Sequence, residues 1–378
     1  MKKHLVLVGG GHAHMTTLLH LGDYIKRGHR VTLISPSPYH YYSGMGPGML
    51  SGLYEDRQVR FNIKKMAIDR GARFVEDRVV RIDPDNRVLF LAAGGSIAYD
   101  VASFNVGSEV PLEGIAVPQE RIIPVKPINN LCYARRLILK EMHDKKLRLL
   151  VVGGGAAGVE ISGNLWRLVH VNGGSAEIKL VAGQQLLKSF PSKVRRLALT
   201  SLSSRNITIL EGTKVQTVGN FSVNFTDGSS LPYDYAFLAV GVKPQALFRE
   251  SDLPLGQDGA GLLVNRYLQS TAYPKIFGGG DCISLEGDQL ARVGVYAVRQ
   301  NPVLQFNLMA ALEGAEMKVF SAGGSYMLIM NMGNDKGILW KNGWVFHGRL
   351  AFVLKDFIDR RFMKKFQVSG EMTGTSND

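Results

Sequence analysis

Three short apolar runs each lead straight into a cluster of glycines: Leu5–Val8 into Gly9–Gly11, Leu149–Val152 into Gly153–Gly158, and Ile276–Phe277 into Gly278–Gly280. An unbroken apolar run ending in a glycine turn is the sequence form of a strand buried in a parallel sheet. After the first cluster the pattern predicts a helix from about His14 to Arg27 and a strand over Arg30–Ile34. The second repeats that plan, with a helix near Val159–Val169 and a strand over Glu177–Val181. Two βαβ units about 144 positions apart predict two nucleotide-binding folds in one chain. β-rich stretches at Arg73–Arg81 and Arg87–Leu91 predict an insertion after the first unit, and Thr208–Val218, Ser222–Phe225 and Ala236–Val240 its counterpart after the second. Near the end, large apolar residues at 346, 350, 353, 354 and 357 fall on one face of a helix drawn over Trp344–Phe366. The expected class is therefore α/β: two Rossmann-like domains with β-meander insertions, followed by an amphipathic helical segment. Residues 1–110 and 246–318 would build the first domain, 111–245 the second, and 319–378 the C-terminal segment.

The glycine clusters carry the first chemistry. Gly9-Gly10-Gly11-His12-Ala13-His14 has the form G-x-G-x-x-H, and Gly153-Gly154-Gly155-Ala156-Ala157-Gly158 the complete form G-x-G-x-x-G. The first glycine allows the tight turn and the second lets the backbone approach a pyrophosphate. The following helix then aims its free amides at that anion. His14 stands where the third glycine would pack helix on strand. The acidic residue expected at the end of the second strand is absent from both units: Ser35 stands there in the first, Ala182-Gly183 in the second. Without a carboxylate in the second unit nothing rejects a 2′-phosphate, so NADH and NADPH both stay open. Lys188, Arg195 and Arg196 are either contacts for that phosphate or solvated helix charges.

Composition narrows the remaining classes. Apolar residues make up 45% and charged residues 20% of the 378, as in a folded globular protein. Lys plus Arg exceed Asp plus Glu by 13, which favours an anionic partner or surface. The basic residues come as scattered pairs (Lys64-Lys65, Lys145-Lys146, Arg195-Arg196), which argues against a dedicated nucleic-acid site. No uncharged apolar run reaches the length that spans a bilayer, and the N-terminus lacks the features of a signal peptide. Cys132 and Cys282, the only cysteines, give neither a disulfide framework nor zinc spacing. A cytoplasmic protein is expected, one able to lie on the inner face of the cell membrane.

These elements in this order resemble the two-dinucleotide-binding-domain flavoproteins of the pyridine nucleotide-disulfide oxidoreductase superfamily. Within it the chain looks like the type II NADH dehydrogenase and sulfide:quinone oxidoreductase branch. It is most similar to the flavoprotein module fused ahead of selenide, water dikinase. Leu33-Ile34-Ser35-Pro36, Tyr42-Ser43-Gly44-Met45, Pro124-Val125-Lys126-Pro127 and Val295-Tyr296-Ala297-Val298-Arg299-Gln300 carry that last likeness. The resemblance implies FAD on the first fold: Gly9, Gly11, His12, Ala13 and His14 at its pyrophosphate, Ser35 near the adenosine ribose, and Gly107 and Ser108 alongside. It implies Asp281 on the ribityl chain and the helix around Ala297 aimed at the flavin O2 side. NADH or NADPH would lie on Gly153, Gly155 and Gly158, with Gly241 beside it and Glu160 near the nicotinamide.

Flavin carries the redox chemistry, so no side chain is required as acid or base for hydride transfer. The superfamily's paired redox cysteines are missing, and nothing after Cys282 can serve a persulfide mechanism, so disulfide and sulfide chemistry are disfavoured. Cys132 reads as a buried helix residue. His12, His14 and His40 show no third partner for a metal and read as loop and packing residues. The segment Tyr39–Leu50, rich in aromatics, Met and Gly, either lines an acceptor pocket or packs on the sheet. The expected activity is electron transfer from NAD(P)H through FAD to a quinone or another small acceptor. A reductase of selenium metabolism and a non-catalytic flavin sensor are the rivals. The basic amphipathic segment 344–366 meets either an anionic membrane surface or protein, including the second subunit of a homodimer.

Overall fold

The computed structural model describes residues 2–112 and 120–372; the last six residues of the C-terminal segment lie outside that range. Two five-stranded parallel sheets are built to one plan. The first has the order Ile276–Gly278, Val101–Phe104, His4–Val8, Arg30–Ser35, Arg73–Glu76. The second runs Ile122–Pro124, Tyr235–Leu238, Leu147–Val152, Ala176–Val181, Thr208–Leu210. The apolar runs of the central strands, Leu5–Val8 and Leu149–Val152, are wholly buried, as a parallel strand covered on both faces demands. A three-stranded antiparallel sheet follows each unit, formed by Val79–Asp83, Val88–Leu91 and Ser96–Ala98 in one case and by Val215–Val218, Ser222–Phe225 and Ser230–Pro232 in the other.

Several expected elements divide. The stretch 73–81 is two strands: Arg73–Glu76 pairs in parallel with Arg30–Ser35, and Val79–Asp83 pairs antiparallel with Val88–Leu91. The stretch 208–218 splits the same way, around Gly212 at φ +75°. Alternation in sequence marks extended chain but does not name the partner strand. The helix expected over 14–27 is a 3-10 turn at His12–His14, then Met15–Leu19 and Leu21–Lys26, interrupted at His20. Thr16, Thr17 and Gly22 are weak helix formers, and packing sets the path instead. The helix drawn over 344–366 begins only at Arg349; Trp344–Gly348 is a strand paired with Gly337–Lys341, and Gly348 makes the corner at φ +143°. Its alternation of Trp344 and Phe346 with Val345 and His347 has period two, which a helical reading overlooks.

The C-terminal module bridges both folds. Its antiparallel sheet of Leu328–Asn331, Gly337–Lys341 and Trp344–Gly348 supports the helix Arg349–Phe366. Gly163, on the helix Ala156–Val171 of the second fold, lies so close to the Met332 carbonyl that a Cβ there would collide with it. Phe362 and Phe366 pack on Phe61 of the first fold, with ring centroids 6.1 and 6.3 Å away. The long helix Gly294–Glu313 returns across the first fold, where Tyr24 donates to the Gln305 carbonyl at 2.7 Å.

Candidate active site

Each glycine loop sits at the carboxyl end of its own parallel sheet, where open α/β folds bind nucleotides. In the second, Gly153 adopts φ +131° against the Ala239 carbonyl, and a Cβ on Gly158 would run into the Gly153 carbonyl. Around Gly155 nothing lies within 4 Å of where a Cβ would stand, so the backbone is open for a pyrophosphate at the head of Ala156–Val171. Gly241, at φ +100°, is equally open.

The first loop is closed by side chains. Gly9 takes φ +83° against the Asn105 carbonyl. The Asn105 carboxamide fills the space beside Gly11, accepting from the Ala13 amide at 3.1 Å and donating to the Gly279 carbonyl at 2.5 Å. His14, fully buried, spans from the Gly9 carbonyl (2.6 Å) to the Ser103 hydroxyl (2.8 Å). Burial holds its imidazole down at about 4, with the Gly9 bond opposing. The ring therefore does the packing of the absent glycine, and the loop's contribution to a cofactor comes from its backbone.

Beside this loop three elements converge. Asp281, in the 3-10 turn after Ile276–Gly278, accepts from Ser108 at 2.8 Å and from the Lys126 ammonium at 2.7 Å; Lys126 also donates to Ser108 at 2.9 Å. Gly107, at φ +73° and open, is next to them. Gln300 accepts from the Gly280 amide at 2.6 Å, which ties the turn to the helix carrying Ala297. No acidic residue stands in that helix's first turn, so its free amides and positive dipole end are available to an anion. These residues fit a flavin dinucleotide: open backbone at Gly107, a carboxylate for polyol hydroxyls held in place by Lys126, and the positive end of the helix dipole.

Sequence reasoning missed Lys126 and Asn105 as site residues. Lys126 offered a signal, a lone cation between Val125 and Pro127 just past a buried strand; Asn105 offered none. The nearest carboxylates to the two strand ends lie one strand further along. Glu76 stands opposite Ser35 on the neighbouring strand, and Glu211 follows Leu210, which bonds Ala182. Glu211 accepts from the Leu186 amide at 2.6 Å and pairs with Arg195 at 2.7 Å. Arg195 is thus a structural ion-pair partner, and Lys188 bonds Gln184 at 2.6 Å.

A second charged cluster joins the two folds through the C-terminal helix. Lys355, one of the basic residues of the segment 344–366, turns inward, with its side chain only 11% exposed. It donates to the Gly44 carbonyl and to Asp359, both at 2.7 Å, and Tyr42 donates to Asp359 at 3.0 Å. Glu160, the fifth residue of the helix Ala156–Val171, accepts from the Asn331 amide at 2.7 Å. Burial pushes its carboxyl up to about 7, with Lys355 and the Asn331 amide pulling the other way. Tyr42 thus belongs to a charged network that includes the 39–50 segment, Glu160 and the last helix.

The cysteines carry no redox pair. Cys282 is fully buried against the Phe104 and Gly279 carbonyls, and burial pushes its thiol up to about 12. Cys132 is half-buried, its thiol also raised by burial. Among the described residues no group of three His, Cys, Asp or Glu could hold a metal ion, and no helix is long and apolar enough to cross a membrane.

Two dinucleotide loops on parallel sheets, with a carboxylate–lysine cluster beside the first, define an oxidoreductase of the two-domain flavoprotein class. The sequence profile of the pyridine nucleotide-disulphide oxidoreductase family matches residues 3–302, and the chain belongs to that family, whose cofactors are FAD and NAD(P)H. It is 26% identical over 321 residues to ferroptosis suppressor protein 1 of Taeniopygia guttata, covering 80% of each chain. Likewise it is 26% identical over 317 residues to the mitochondrial internal alternative NAD(P)H-ubiquinone oxidoreductase A1 of Arabidopsis thaliana, covering 74% of this chain and 61% of that one. Demethylphylloquinone reductase NdbB of a Synechocystis strain is 22% identical, with 82% and 80% covered. NDH2 of Plasmodium falciparum, solved with NADH, superposes with a TM-score of 0.80 at 15% identity, covering 99% of both chains; that likeness carries the fold.

Proposed function

We propose that this protein takes electrons from NADH or NADPH on the second fold and passes them through FAD on the first to a quinone at a membrane surface. FAD, when bound, accepts a hydride and gives up two electrons; the chain supplies position and electrostatics. Gly153, Gly155, Gly158 and Gly241 offer open backbone to the nicotinamide nucleotide, and Glu160 is the acid nearest that loop. Gly9, Gly11, the His12 amide, Ser35, Gly107, Ser108, Asp281 and the turn bearing Ala297 hold the flavin nucleotide, with Lys126 added to the set; the Ala13 and His14 amides are already engaged by Asn105 and the Gly11 carbonyl, so those two residues shape the loop.

The observation that carries the acceptor is the two-sidedness of Arg349–Phe366. Its inner face bonds Gly44 and Tyr42 and approaches Glu160. Its outer face exposes Leu350 (72%), Val353 (57%) and Phe357 (60%), with Arg349, Arg360, Arg361, Lys364 and Lys365 around them. An apolar strip rimmed by cations suits an anionic lipid interface, and a quinone is an apolar molecule that lives there. The quinone reductases among the relatives support the same reading.

Anaerobic mixing with NADH and, separately, NADPH tests it: flavin absorbance bleaches with at least one and returns on adding a ubiquinone or menaquinone analogue. Failure of both nucleotides to bleach it removes the dehydrogenase reading. Deleting the segment from 344 is a poor test of the membrane, because Phe362, Phe366 and Asp359 pack on the first fold. The triple substitution Leu350→Ser, Val353→Ser, Phe357→Ser leaves those contacts alone. It is expected to lower binding to anionic vesicles by at least about tenfold, read by co-sedimentation. An unchanged pellet together with a change from dimer to monomer on gel filtration would assign the strip to a second subunit.

A further inference from the structure

Two imidazoles meet beside the first glycine loop. His12, on the first glycine loop, and His40, on the strand Tyr39–Tyr41, meet edge to face, with ring centroids 4.7 Å apart at 81°. His40 Nε2 lies 3.1 Å from His12 Nδ1, a hydrogen bond with one proton between two nitrogens. His12 is buried, and its Nε2 has no hydrogen-bond partner. An unpaired buried ring nitrogen costs about 1–3 kcal/mol, and such groups in native proteins call for an explanation. Tyr42 and Phe362 flank the His12 ring at 5.3 and 5.7 Å, and Phe61 lies along His40 at 6.2 Å. The result is a box of flat apolar faces with one polar atom unpaired inside it. His40 is only half-buried.

We infer that the His12–His40 couple is a proton relay to the electron acceptor, ending at His12 Nε2 and replenished through His40 Nδ1. This rests on the quinone-reductase reading above. Reducing a quinone to a quinol takes two electrons, supplied by NAD(P)H through flavin, and two protons, one of which must come from the medium. For that one, the His12 Nε2–H bond breaks as an O–H bond forms on a quinone oxygen. The proton on His40 Nε2 moves to His12 Nδ1, and His40 Nδ1 takes a proton from outside. Each ring ends neutral in its other tautomer, so no net charge enters the box. Burial favours that neutral course by depressing both rings, His12 to about 4. The charge felt by both is the Lys126 ammonium, which Asp281 compensates. From the C-terminal helix, Phe362 stacks on His12, while Asp359, paired with Lys355, bonds Tyr42.

The test uses the FAD-loaded protein and compares NAD(P)H turnover with menadione, which takes up protons, against ferricyanide, which takes only electrons. His40→Phe is expected to lower the menadione-to-ferricyanide rate ratio by at least about tenfold and to steepen its fall with rising pH. His40→Gln, which hydrogen-bonds but does not shuttle, is expected to do the same. Independently of turnover, menadione added to the oxidised, 15N-histidine-labelled protein should shift the His12 Nε2 resonance. A ratio within about twofold of the parent for both variants, with an unmoved resonance, overturns the relay. Failure of the parent to bleach with either nucleotide would instead overturn the quinone-reductase reading, and the labelling measurement would still decide whether the couple meets a quinone.

Discussion

The two glycine loops descend from one sequence pattern and occupy equivalent ends of equivalent sheets, yet they are closed differently. The loop at 153–158 is closed by backbone alone: Gly158 against the Gly153 carbonyl, with Gly155 facing open space. The loop at 9–14 is closed by side chains, with the His14 ring between Gly9 and Ser103 and the Asn105 carboxamide between Ala13 and Gly279. A cross-linked cradle keeps its shape whatever is bound, which suits a resident prosthetic group. An open backbone cradle favours a ligand that must arrive and leave in each turnover. The comparison teaches that a departure from the fingerprint, histidine for the third glycine, is a different way of fixing the same turn.

Breaking the first closure should have the largest effect. His14→Ala leaves the Ser103 hydroxyl and the Gly9 carbonyl without their buried partner and opens a cavity, a loss of about 4 kcal/mol. The expected outcome is flavin lost on dialysis and a lowered melting temperature, measured by visible absorbance and calorimetry. Gly158→Val strikes the second loop. Its side chain cannot fit against the Gly153 carbonyl, and a cost of about 3 kcal/mol corresponds to at least about 100-fold slower bleaching by nicotinamide nucleotide. Bound flavin should remain, so the two substitutions separate the two sites.

A smaller effect distinguishes the folds by pH. Burial depresses His12 and His14, so the folded first unit binds fewer protons than its unfolded chain. Its stability is full above about 6.5 and is lost as pH falls through about 4. Glu160 has the opposite sign: raised to about 7, it is most favourable when protonated, and stability declines as pH rises from about 4.5 through 7. Glu160→Gln should remove that alkaline decline, a gain of about 2 kcal/mol at pH 8 relative to pH 5. Thermal melts of parent and variant at the two pH values check it; an equal decline in both would assign the slope to other groups.

Apolar runs and glycines made the core of this molecule legible in one dimension. Leu5–Val8, Leu149–Val152 and both loops were readable because a parallel strand buried on both faces needs a continuous apolar run, and a pyrophosphate needs a bare backbone. What the chain could not reveal alone was which strands pair after Glu76 and Leu210, or that residues 344–348 form an edge strand. It could not tell that Lys355 turns inward to Asp359 while Leu350 and Phe357 face outward. Nor could it bring His12 to His40, or Lys126 and Ser108 to Asp281. Those decisions belong to tertiary structure, because a local pattern records how one residue meets its neighbours in sequence. Partners far along the chain are chosen only when the folds, the bridging helix and the C-terminal module pack against one another.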